Sequence, residues 1–192
     1  MKKYVLFVCL VCIIGCSKNE TILPVSSITE EVSHISNYDL SFVDGLIQLK
    51  ISKEEALCRG VSASEYDLVE ETLMKHNNSK VRTRAMNNNT LAWGILEDPS
   101  NAYHSNSFGP FYVSITPYAG TLTLSYAMSS MNDGSSNLQY HLFGTNTFDG
   151  TISGYGFTQG TVPFFSFWEG FINLNYYTVA YSQGICVYEV YY

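Results

Sequence analysis

From Thr90 to the C-terminus the chain is a succession of short alternating runs with no helical stretch between them. That limits this part to antiparallel β-structure, because parallel strands need long, usually helical, crossovers. The clearest run is Thr121 to Met128, with Leu122, Leu124, Tyr126 and Met128 on one face and Thr121, Thr123, Ser125 and Ala127 on the other. Phe111 to Thr116 alternates too, and Tyr118-Ala119-Gly120 between the two runs suits a hairpin turn. Asp133-Gly134 and Asp149-Gly150 are turn dipeptides. Further strand-like runs are Leu91–Leu96, Leu138–Phe143, Ile152–Phe157, Val162–Trp168, Phe171–Tyr181 and Ile185–Tyr191. Together they make about eight strands, closing as a β-sandwich or a small barrel.

A short α-helical pair precedes this domain. Ser52-Lys53-Glu54-Glu55 and Ser62-Ala63-Ser64-Glu65 both have capping-box spacing, with Ile51 and Val61 placed as hydrophobic staples. Gly60 suits the end of the first helix. In the second, Tyr66, Val69 and Leu73 share one face. Asn77 to Asn89, with three consecutive asparagines, reads as a polar linker, so residues 51–84 are expected to be helical pair plus linker and 85–192 the β domain.

The N-terminus is a targeting segment. Lys2 and Lys3 precede an uncharged apolar run, Tyr4 to Ile14, too short to span a bilayer, which takes about 20 residues. It ends in Ile13-Ile14-Gly15-Cys16, which resembles the lipobox of Bacteroidetes-type bacterial lipoproteins. The resemblance covers residues 1–16 and implies a signal peptide at 1–15, cleavage before Cys16, and a diacylglyceryl group on that thiol as the membrane anchor. Ser17-Lys18-Asn19-Glu20 is similar to the charged signals that export such lipoproteins to the outer face of the outer membrane. Residues 16–50 are then expected to be mostly tether, although Tyr38 to Ile51 has some β-like alternation.

Charge narrows the partners. Loss of Lys2 and Lys3 with the signal leaves eight basic against seventeen acidic side chains, a net of −9. Residues 85–192 contain no Lys or Arg at all. Phosphate recognition depends on those residues, so nucleic acid, nucleotides and anionic lipid heads are poor ligands for this domain. With export, this also argues against reading the helix pair as a DNA-binding motif.

No catalytic or metal-binding pattern emerges from spacing. His34, His76, His104 and His141 are isolated in sequence. The glycine-rich run Gly154 to Gly160 has no phosphate-loop Lys. The acids Glu97, Asp98, Asp133, Asp149, Glu169 and Glu189 single out no glycosidase pair. The expectation is a non-enzymatic protein with no cofactor and no metal. Cys58 and Cys186 are the candidate disulfide pair, the only cysteines left beside Cys16 once Cys9 and Cys12 depart; two separate thiols are the other reading.

Aromatic side chains are the remaining lead. Residues 85–192 hold Trp93, Trp168, nine Phe and twelve Tyr. Such rings fill β cores, but Tyr and Trp also stack on sugars and other ligands through one apolar face. The sequence thus points to a neutral-glycan binder, with Trp93, Trp168 and Tyr155 as candidate contacts. The alternative is a fimbrial or envelope-complex subunit that pairs through β-strand edges; Arg84-Ala85 resembles, in type, the site at which fimbrial lipoprotein precursors are cut.

Overall fold

Antiparallel strands with one apolar face each must bury that face against another layer, and here two sheets do so. The computed structural model describes residues 33–83, 89–99, 106–115, 120–166, 168–179 and 182–192. All belong to one compact unit, Ser33–Tyr192. The expected signal segment, Cys16 and the first part of the expected tether lie outside the described residues.

A 3-10 turn at Asn37–Asp39 leads into β1 (Leu40–Val43), β2 (Leu46–Leu49), α1 (Lys53–Cys58) and α2 (Ala63–Thr83). Eight more strands follow: β3 (Thr90–Pro99), β4 (Asn106–Ile115), β5 (Thr123–Ser130), β6 (Ser135–Gly144), β7 (Phe148–Tyr155), β8 (Phe157–Pro163), β9 (Trp168–Thr178) and β10 (Gln183–Tyr191). They form two four-stranded sheets, β3-β10-β5-β8 and β4-β9-β6-β7, with every pairing antiparallel. The sheets stay separate, so the architecture is a sandwich and not a barrel. Among chain neighbours only β6 and β7 pair with each other; all other consecutive strands in this set sit in opposite sheets. This alternation is the eight-stranded jelly-roll wrapping.

The wrapping overturns the local turn readings. The runs Phe111–Thr116 and Thr121–Met128 do not form a hairpin, because β4 and β5 belong to different sheets. Asp133-Gly134 joins β5 to β6 across the sandwich through a 3-10 turn. Asp149-Gly150 lies inside β7, where a side chain on Gly150 would collide with the Tyr140 ring on the paired strand.

Between the sheets lies the larger core, including Leu124, Met128, Leu138, Trp168, Leu174 and Tyr188. A second core occupies the other face of the β3-β10-β5-β8 sheet. There Ile95, Ala127, Ile185 and Val187 meet Ile47 of β2, Ala56 of α1, and Val69 and Leu73 of α2. Burying each Ile, Val or Leu side chain among them contributes about 1.5–3 kcal/mol.

The helices and the β1-β2 hairpin are therefore a third layer of the same unit. The expected boundaries at residues 50 and 84 fall inside it. Ile35, Leu40, Ile47 and Ile51, placed in the expected tether and at its end, are buried. Asp44-Gly45, both at positive φ, turns the hairpin, as two-residue loops prefer. The second helix also runs into the expected polar linker, as far as Thr83. Asn77 explains why: its amide accepts from the Ile47 N–H at 3.2 Å and donates to the Ile47 carbonyl at 2.8 Å, fastening β2 to α2. Gly60, with φ +89°, ends the first helix as expected. Only half of each capping box forms. Ser52 and Ser62 accept from the N–H of Glu55 and Glu65, but the Glu55 carboxylate turns to Arg59 and that of Glu65 to Ile35 and His34.

The candidate disulfide is absent: Cys58 and Cys186 are both free, the first exposed and the second buried. Strand alternation accounts for this. Ile185 and Val187 of β10 face the helical layer that carries Cys58, so Cys186 between them faces the inter-sheet core.

Candidate functional site

Among the described residues, the outer face of the β4-β9-β6-β7 sheet has no such covering. Along β9, burial alternates strictly from Trp168 to Tyr176, with Trp168, Gly170, Ile172, Leu174 and Tyr176 inward and Glu169, Phe171, Asn173 and Asn175 outward. Cross-strand register then arranges the outward side chains in rows. One row is aromatic: Tyr112 of β4 is opposite Phe171, and Phe171 is opposite Phe143 of β6. Ring centroids are 5.4 Å apart in both pairs, edge-on in the first and stacked in the second. His141 stacks on Phe143 at 5.2 Å and extends the platform. Tyr112 is 54% exposed and Phe171 40%, so each ring offers surface to solvent.

The adjoining rows are polar. Asn173 is opposite His141, which is opposite Asp149 of β7. Next come Ser107, Asn175, Gln139 and Thr151 across all four strands. These two rows line an open groove of about 580 Å³, within the range of small-ligand sites. Asn175 Nδ2 donates to Gln139 Oε1 at 3.0 Å, which sets the amide planes. The Oδ1 atoms of Asn173 and Asn175 are sealed from bulk solvent and have no hydrogen-bond partner among the described residues. Buried amide oxygens carry a desolvation cost until a donor meets them.

The flanking acids are held by neighbours. His141 Nδ1 pairs with Asp149, and the Tyr112 hydroxyl donates to Glu169. That bond, with some desolvation, raises the Tyr112 pKa above the usual phenol value. Among the described residues these two acids do not form a pair with each other: each is committed to its own aromatic or imidazole partner.

The three aromatic contacts expected from sequence part company. Trp168 is fully buried in the inter-sheet core and its Nε1 donates to the Asn146 carbonyl at 3.0 Å, so it is a core residue and cannot stack on a ligand. Trp93 faces the other way, toward the helical layer, stacked on Phe42 of β1 at 5.5 Å. Tyr155 is 77% exposed and lies on the outward parity of β7, at the end of the sheet farthest from the aromatic row. Tyr112, Phe143 and Phe171 were not separable from core aromatics by sequence; the signal that identifies them is their register against one another.

A second cluster lies on the covered side of the sandwich. His34 Nδ1 is 3.0 Å from Glu65 Oε2, and Glu97 of β3 completes a group whose ligand-type atoms all lie within 4.8 Å of one another. Glu65, in the first turn of α2, is oriented by the Ile35 N–H at 3.0 Å and Gln183 Nε2 at 3.3 Å. Glu97 Oε1 is buried without a partner among the described residues. Burial, and then the neighbouring carboxylates of Glu65 and Asp39, push the Glu97 pKa up to about 9. Three distant segments supply these side chains, which is why spacing in the sequence did not reveal them.

Set against known proteins, the chain matches no protein-family model, and no curated protein is significantly similar to it.

Proposed function

We propose that this protein is a non-enzymatic, outer-membrane surface lipoprotein, anchored through Cys16, that binds a neutral glycan on the bare face of the β4-β9-β6-β7 sheet. The observation that carries the binding reading is the aromatic row Tyr112–Phe171–Phe143 lying beside rows of amides whose acceptors lack donors. Sugar rings have apolar faces that stack on such a platform and hydroxyls that satisfy such acceptors. The domain has no Lys or Arg, so a ligand with negative charge gains no partner here. The fold is shared by proteins of many activities and adds no weight of its own. The anchor rests on Lys2, Lys3, the apolar run and Gly15-Cys16 in the sequence.

Strand-edge assembly has less support. Edge strand β4 is broken by a register shift between Phe108 and Phe111, and Pro110 within it has no N–H to offer a new strand.

The test is calorimetric titration of the whole chain in detergent against neutral oligosaccharides of differing linkage. Tryptophan fluorescence is a poor probe, since both tryptophans lie away from this face. Saturable binding that is weakened about tenfold or more in Phe171→Ala and Asn173→Ala supports the reading. A flat response from folded protein across the panel removes it and returns attention to protein partners.

A further inference from the structure

We propose that His34, Glu65 and Glu97 form a binding site for a divalent transition-metal ion of the zinc class. The site is independent of the glycan reading and lies on the covered side of the first sheet.

The geometry is that of three ligands around one small ion. Their donor atoms lie within 4.8 Å of one another. Zinc held at about 2.0–2.2 Å by nitrogen and oxygen needs ligand atoms roughly 3.3–3.6 Å apart. The His34–Glu65 separation of 3.0 Å is already near that. Glu65 and Glu97 are carried by α2 and β3, which pack on each other's layers, while His34 is exposed and free to adjust. The Ile35 N–H and Gln183 amide that orient Glu65 stand where outer partners of metal ligands stand.

Glu97 points to a ligand independently of this spacing. Its Oε1 is sealed from water and unpartnered among the described residues, and it sits beside the buried carboxylate of Glu65. The Arg59 guanidinium is committed to Asp39 and Glu55. A cation at the cluster supplies the charge that this pair lacks. The donor set decides which cation. Calcium and magnesium take all-oxygen shells, whereas an imidazole with two carboxylates suits zinc and its first-row neighbours. The exposed side of His34 leaves the remaining coordination position open to water.

The experiment titrates the untagged whole chain, stripped with chelator, with Zn²⁺ by calorimetry and with Co²⁺ by visible absorption. One equivalent of Co²⁺ giving ligand-field bands, displaced by Zn²⁺, is expected. His34→Ala and Glu97→Gln each weaken binding by at least about tenfold, and Zn²⁺ raises the Tm of the native chain but not of these variants. Glu97→Gln keeps the side chain's shape and puts a neutral amide where the apo protein holds a protonated carboxyl, so its apo form folds. His141→Ala, on the opposite sheet, leaves the titration unchanged. The proposal is overturned by the absence of a stoichiometric site, by binding that survives both variants, by loss on His141→Ala alone, or by a site that prefers Ca²⁺ or Mg²⁺ to Zn²⁺.

Discussion

The two sheets of the sandwich have the same strand number and the same wrapping, yet their outer faces have opposite fates. On the β3-β10-β5-β8 sheet the outer face carries Ile95, Ala127, Ile185 and Val187 and is covered by α1, α2 and the β1-β2 hairpin. On the β4-β9-β6-β7 sheet it carries Asn173, Asn175, Gln139 and the Tyr112–Phe171–Phe143 row, and it faces solvent. β10 is buried almost end to end, whereas β9 alternates. A covered face is fixed by apolar packing and tolerates few changes. A bare face keeps exposed rings and unpaired amide oxygens only at a cost, which the proposed ligand would offset.

The comparison breaks if aromatic residues act alike wherever they sit. Trp168→Ala tests this most strongly. It removes a fully buried ring and the bond to Asn146, so we expect a stability loss of about 3–5 kcal/mol in urea unfolding. Ligand binding by whatever remains folded should be unchanged. On the covered face, Ile185→Ala should cost about 2–4 kcal/mol, read by the same method.

Alkaline titration sharpens the contrast next. Burial raises the phenol pKa values of Tyr176 and Tyr188 well above the usual 10. The folded state therefore holds these protons when the unfolded chain has lost them. These two phenols leave stability unchanged below pH 10 and lower it above, by roughly 1.4 kcal/mol per pH unit for each. Absorbance at the tyrosinate band should show a subset of tyrosines ionising only as far-UV dichroism is lost. On the bare face, Phe171→Ala should change stability by less than about 1 kcal/mol, because the ring is 40% exposed. It should nonetheless weaken glycan binding about tenfold, the loss of one stacking contact. The smallest effect belongs to the thiols. With Cys58 and Cys186 on opposite sides of a sheet, reductant should leave Tm unmoved, and a shift of several degrees would contradict the separation of the two layers.

Much of the β domain was legible in advance, for one reason: period-2 alternation reports burial directly. Seven of the eight runs correspond to strands; Val162–Trp168 covers only the last two residues of β8 and the first of β9, so most of β8 was missed. Misreadings came where a local signal served a long-range purpose. Asp149-Gly150 is turn chemistry used to admit the Tyr140 ring within a strand. Asn77 is a linker-type residue used to dock a hairpin. Conversely, Asp44-Gly45 between Leu40–Val43 and Leu46–Leu49 is a strong hairpin signal that the tether expectation passed over. Of the three candidate contacts, Tyr155 lies on the outward parity of β7 and both tryptophans lie elsewhere, because an aromatic residue in an alternating run states its parity but not which layer lies beyond it.

The sequence by itself determined the class of the fold, the helix caps at Ser52 and Ser62, the exit at Gly60 and the lack of cationic side chains over residues 85–192. These follow from local geometry and from counting. Only the tertiary structure decided which sheet is covered, that Trp168 is core, that Cys186 faces away from Cys58, and that Tyr112, Phe143 and Phe171 form one row. It also decided that His34, Glu65 and Glu97 meet. The physical reason is common to all of these. Alternation assigns a side chain to one of two faces, but what lies against that face is set by strands and helices far away in the chain.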